Sequence, residues 1–168
     1  MILKKNQQLK IATILPYKEN YSVDKASAAS LWVSEFYKKS KFKNNNFIFG
    51  HTKSNQYLTK NYINIHLKNL KSKFKSTTNE YAKKLIKELN YKKFDIIEIH
   101  NRHQLLHKLV NQVKGRFIFY FHNDPISMNG SKSVKERLKI LENVEKLIFV
   151  SEWAVSYTHL RAHETLSY

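Results

Sequence analysis

The chain has 168 residues, 42% of them hydrophobic and 13% aromatic, which is about one domain's length with enough apolar surface for a core and excludes a disordered polymer. It has no cysteine, excluding disulfide frameworks and thiolate metal sites and fitting a reducing compartment. The net charge of +17 invites a nucleic-acid reading, but only four of the 30 basic residues are arginine (Arg102, Arg116, Arg137 and Arg161), and nucleic-acid surfaces lean on arginine for bidentate contacts.

In chain order, Met1-Ile2-Leu3-Lys4-Lys5-Asn6 has charge but no apolar run, so no signal peptide is expected, and no later run approaches the roughly 18 apolar residues of a membrane span. Ile11–Leu15 is a short apolar run stopped by Pro16, which predicts a buried strand. Asp24 is placed to cap a helix carrying Ala26, Ala28, Ala29, Leu31, Trp32, Phe36 and Tyr37. Phe47–Phe49, ending at Gly50, and Tyr62–Ile65 predict further strands, and Leu70–Leu89 has a basic helical pattern. Phe94–Ile99 is a strand leading into a helix with Leu105, Leu106, Leu109 and Val110. Phe117–Phe121 is a strand, His122–Gly130 a loop, Ser131–Asn143 a helix and Leu147–Val150 the last strand. Strands apolar on both faces, alternating with helices, predict an α/β fold with a doubly wound parallel sheet.

In such sheets ligands bind at the carboxyl ends of the strands. That rule selects four segments: Pro16–Lys25, His100–Arg102, His122–Gly130 and Ser151–Trp153. His122 follows the Phe117–Phe121 strand and can donate from its ring to a sugar hydroxyl or phosphate oxygen, with Asn123 and Asp124 adding polar reach. The same residues also suit a strand end and an Asp-Pro turn. Arg102 can clamp a phosphate or carboxylate, and Asn101 is equally suited to cap the next helix. His103 and His107 lie one helical turn apart without a third ligand in sequence, so solvent-facing positions are expected and no metal site. The first loop has no glycine, which excludes a dinucleotide fingerprint or P-loop. Its small residues Ala26–Ala29 still allow a helix start to face an anion, or simply to pack on the sheet.

Val155–Thr165 resembles the translation of one frame of a common transposase sequencing adapter. Residues 154–168 are therefore expected to be a non-native tail, and His159 and His163 are discounted with it. The native domain is expected over residues 1–153, with the gene continuing beyond.

Taken together, Lys10–Pro16, Ala26–Ala29, Phe94–Arg102, Ile118–Asp124 and Leu147–Trp153 resemble the N-terminal domain of a family 4 glycosyltransferase of GT-B architecture. The resemblance implies one Rossmann-like half of a two-domain enzyme that transfers sugar with retention from a nucleotide-sugar donor to a glycan or lipid-linked acceptor, as in cell-envelope polysaccharide synthesis. It implies no metal and no other cofactor, and His122 as the catalytic residue, near the donor sugar. Lys25 and Ser27 would lie on the donor-phosphate side, with Asn101, Arg102, Asn123 and Asp124 along the acceptor. Most donor contacts would come from a second domain, so a chain lacking it is expected to be inactive. The glycine-free first loop departs from the family's usual pattern.

A cytoplasmic location is expected, with the basic coat drawn to the anionic inner face of a membrane. No nucleic-acid partner is expected, since lysine beside abundant asparagine and isoleucine is what an AT-rich coding sequence produces. A basic nucleic-acid-binding α/β domain is the alternative, and a salt-dependent affinity would be its sign.

Overall fold

The computed structural model describes residues 9–67 and 76–150. Six strands, β1 (Ile11–Ile14), β2 (Asn46–Gly50), β3 (Tyr62–Asn64), β4 (Ile96–His100), β5 (Arg116–Phe121) and β6 (Lys146–Phe149), form one sheet in the order β3-β2-β1-β4-β5-β6. Every neighbouring pair is parallel. Four helices flank it: α1 (Ala28–Lys39), α2 (Thr77–Lys92), α3 (His103–Leu109) and α4 (Val134–Leu141). The chain winds outward from β1 to β3, then returns to β4 and winds the other way. This is the doubly wound, Rossmann-like order, and its switch point lies between β1 and β4.

Side chains alternate along a strand, so each strand contributes to both faces. One face carries Ala12, Ile14, Phe49, Ile97, Ile99, Phe117, Phe119 and Phe121, packed against Leu85 and Leu89 of α2, Leu105, Leu106 and Leu109 of α3, and Ile140 of α4. On the opposite face α1 packs Val33 against Leu15, Ile48 and Tyr62. No helix among the described residues is long and apolar enough to cross a membrane.

The expected elements form, with several boundaries moved for local reasons. Ser27, rather than Asp24, caps α1: its backbone is extended and its hydroxyl accepts the Ser30 N–H at 3.2 Å. Asp24 sits in the preceding turn, where a hydrogen bond from Ser22 holds its carboxyl below the usual range. The basic helix expected from Leu70 starts at Thr77, and the expected turns before residue 76 lie outside the described residues. Helix α4 starts three residues later than expected, because Ser131 is buried outside it with its hydroxyl donating to the Pro125 carbonyl at 2.6 Å. Ser133 caps α4 instead, in a reciprocal box with Glu136. His103, expected to face solvent, is buried, whereas His107 is exposed. The 122–130 loop returns over the His103 ring at Gly130, whose φ of +90° and missing Cβ allow an approach that any side chain would block.

Candidate functional site

The carboxyl edge of the sheet at the centre of the molecule is built by β1, β4 and β5. Period-two alternation puts Thr13, Glu98, His100 and Tyr120 on the face covered by α1, interleaved with the apolar residues that face α2–α4. His100 pairs in register with Tyr120, and its ring stacks on the Tyr120 ring with centroids 4.4 Å apart and planes within 6°. His122 lies two residues further along, and its Nε2 is 2.6 Å from His100 Nδ1. From α1, the Trp32 ring stands nearly perpendicular to the His122 ring, with centroids 5.1 Å apart.

A buried polar set lies beneath these rings. Glu98 accepts hydrogen bonds from Thr13 Oγ1 at 2.7 Å and from Tyr120 Oη at 3.2 Å. Thr13 Oγ1 is also 3.0 Å from Asn46 Oδ1, and one hydroxyl hydrogen cannot serve both oxygens. Either the Asn46 amide turns its NH2 to Thr13, or Glu98 carries a proton. Burial pushes the Glu98 carboxyl up, and it raises the Tyr120 phenol as well. Burial also drives the His100 imidazole well below its ordinary value, aided by the neighbouring His122, and lowers His122 to about 4. Both histidines are neutral at physiological pH.

Asn101 joins the ends of β4 and β5. Its φ is +53°, a left-handed turn that asparagine tolerates, its N–H donates to the Tyr120 carbonyl at 2.9 Å, and its Oδ1 accepts the His122 N–H at 2.8 Å. It does not cap α3; Arg102 stands at that position, without a side-chain capping bond. The Arg102 guanidinium lies over the Tyr17 ring, 5.4 Å from its centroid, so it spans the switch point from the end of β4 to the end of β1. Among the described residues it forms no ion pair with a carboxylate.

The sequence-derived candidates therefore divide into two groups. His122, Asn101 and Arg102 sit on one edge, with His122 and Arg102 both half-buried. Lys25 is exposed in the turn before α1, where its carbonyl accepts from Asn20 Nδ2 at 2.9 Å. Ser27 commits its hydroxyl to Ser30, both accepting the N–H and donating to Oγ at 3.0 Å. Asn123 is exposed, and Asp124 builds a turn, with Oδ1 accepting the Ile126 N–H at 3.0 Å. The Ser151–Trp153 segment lies outside the described residues.

His100, Trp32, Tyr120 and Tyr17 complete the edge; His100 and Tyr17 fall within the strand-end segments selected from sequence, but none of the four was given a role there. The available signal was parity: Glu98 and His100 alternate with Ile97 and Ile99, and Tyr120 and His122 alternate with Phe119 and Phe121. Among the described residues no three histidine or carboxylate side chains gather in a set able to hold a metal ion. No protein-family model matches the chain, and no curated protein matches it significantly.

Proposed function

We propose that this domain is the N-terminal half of a retaining glycosyltransferase of the family 4 type, using a nucleotide-sugar donor and a glycan or lipid-linked acceptor. The observation that carries the reading is that Arg102 spans the β1–β4 switch point and His122, at the end of β5, reaches the end of β4, both on the edge where doubly wound sheets bind ligands. Fold alone does not specify function, so the chemistry of that edge has to supply it.

Sugar transfer from a nucleotide sugar needs the departing diphosphate stabilised and the acceptor hydroxyl held in line. Arg102 offers a guanidinium with no competing carboxylate among the described residues, suited to a phosphate or acidic group on an acceptor. The N-terminus of the 12-residue helix α1 adds the positive end of its dipole on the same side of the sheet as His122. Trp32, half-buried and stacked on Phe36, adds an aromatic ring beside His122. In this reading Asn101 acts by setting the position of His122, and Asp124 by shaping the loop beyond it. Most donor contacts come, in this reading, from a partner domain, so weak donor binding is expected of this domain by itself.

The test is an NMR titration of the 168-residue chain with UDP-glucose, GDP-mannose and a short-chain polyprenyl phosphate. Shifts centred on Trp32, Arg102 and His122, lost in Arg102→Ala, are expected for at least one of them. Absence of any shift at that edge, together with steeply salt-dependent binding to DNA or RNA, would overturn the reading in favour of a nucleic-acid module.

A further inference from the structure

His100 is fully buried, and the two nitrogens of its ring have different surroundings. Nδ1 meets His122 Nε2 at 2.6 Å, whereas Nε2 is buried without a hydrogen-bond partner among the described residues. Two neutral imidazoles in such contact share one hydrogen, which leaves two arrangements. If His122 donated it, His100 would have to carry its own hydrogen on Nε2, leaving a buried N–H with no acceptor. If His100 donates from Nδ1, its Nε2 is a bare lone pair. Orphaned acceptors are tolerated in protein interiors more readily than orphaned N–H groups. The burial of His100 therefore selects the second arrangement.

We propose that His100 is a positioning residue that fixes His122 as the Nδ1–H tautomer, so that the ring offers a ligand oxygen a permanent hydrogen-bond donor and has no free basic nitrogen. This rests on the glycosyltransferase reading only in naming that oxygen, a sugar hydroxyl or a phosphate oxygen of the donor or acceptor. His122 Nε2 is occupied by the hydrogen from His100, and Nδ1 holds the remaining one. His122 then orients and polarises rather than abstracting protons. Three further contacts hold the pair in place: the stack of His100 on Tyr120, the perpendicular packing of Trp32 and His122, and the Asn101 side chain on the His122 N–H. Both arrangements leave one nitrogen of His100 unpaired, and the proposed one leaves the acceptor rather than the N–H.

The tautomers are read directly by nitrogen-15 NMR of histidine-labelled, ligand-free protein at pH 7.5, where protonated and bare ring nitrogens give separate signals. Expected are protonated Nδ1 and bare Nε2 in both His100 and His122. A protonated Nε2 on His122 would overturn the proposal. In His100→Phe the donor is gone, and His122 should lose its Nδ1–H preference; an unchanged His122 signal would equally count against the role. His100→Asn keeps an NH2 where Nδ1 stood and should restore the wild-type pattern. Should His100→Phe fail to fold, the wild-type spectrum and His100→Asn still decide. Because no sugar nucleotide is present, the outcome is independent of the titration that tests the glycosyltransferase reading.

Discussion

The two faces of the sheet solve different problems. Toward α2–α4 the strands present Ala12, Ile14, Ile97, Ile99, Phe119 and Phe121, nearly all without solvent contact and free of polar side-chain atoms. Toward α1 the same strands present Thr13, Glu98, His100 and Tyr120, equally buried but bonded to one another or to His122. The first arrangement gains stability from apolar burial, and the second gives some of it up to hold polar groups under the rim. Along β1, β4 and β5 the apolar packing is thus concentrated on one side and the buried polar groups on the other, while Leu15, Ile48 and Tyr62 give the α1 side an apolar cluster of its own.

The largest expected effect tests the apolar side. Phe119→Ala removes a fully buried ring from the centre of β5 and should cost about 3–5 kcal/mol in urea unfolding. A loss below about 1 kcal/mol would mean that the face is not the stabilising one.

The polar side should show itself through pH. His122 has its pKa lowered to about 4 by burial, and His100 is lowered as well, so the unfolded chain binds more protons than the folded one in mild acid. Their contribution is complete above the unfolded value of 6.5 and is lost as pH falls toward 4. Glu98 is shifted upward, so its folded form holds a proton longer than its unfolded form, and its contribution falls as pH rises above 4.5. Glu98→Gln should remove that second slope and leave the protein at least as stable at pH 7, while His122→Gln should shrink the total acid-side loss of stability by about 1–2 kcal/mol, allowing for its partial exposure. Unfolding free energies measured from pH 4 to 8 check both signs.

Arg102→Ala should give the smallest change in stability. Its half-exposed guanidinium gains about 0.5–1 kcal/mol from the Tyr17 face, so the midpoint should barely move while ligand-induced shifts at the edge disappear. A large destabilisation would make Arg102 a structural residue instead.

The contrast between faces also explains what could be read without coordinates. The strands announced themselves as short apolar runs bounded by Pro16, Gly50 and His122, because burial on both sides leaves little room for polar residues. Helix starts were harder: Asp24, Ser27, Ser131 and Ser133 are all competent caps, and only backbone geometry separates Ser27 and Ser133 from the others. The candidate edge was located by the strand-end rule, which brought His122, Asn101 and Arg102 forward together. What escaped was everything that depends on register. His100 meets His122 because β4 and β5 pair with His100 opposite Tyr120, a fact about two strands that neither one carries alone. The positive φ of Asn101 and the burial of His103 are likewise set by distant partners.

Asn101, Arg102 and His103 are consecutive, yet each answers to a different part of the molecule. The first ties β5 to β4, the second reaches across to Tyr17, and the third is the seat on which Gly130 rests. Three such duties on adjacent residues leave no slack in the backbone. An insertion of a single residue between His100 and His103 would pull at least one of these attachments out of reach, so this tripeptide is the segment of the domain least able to change length.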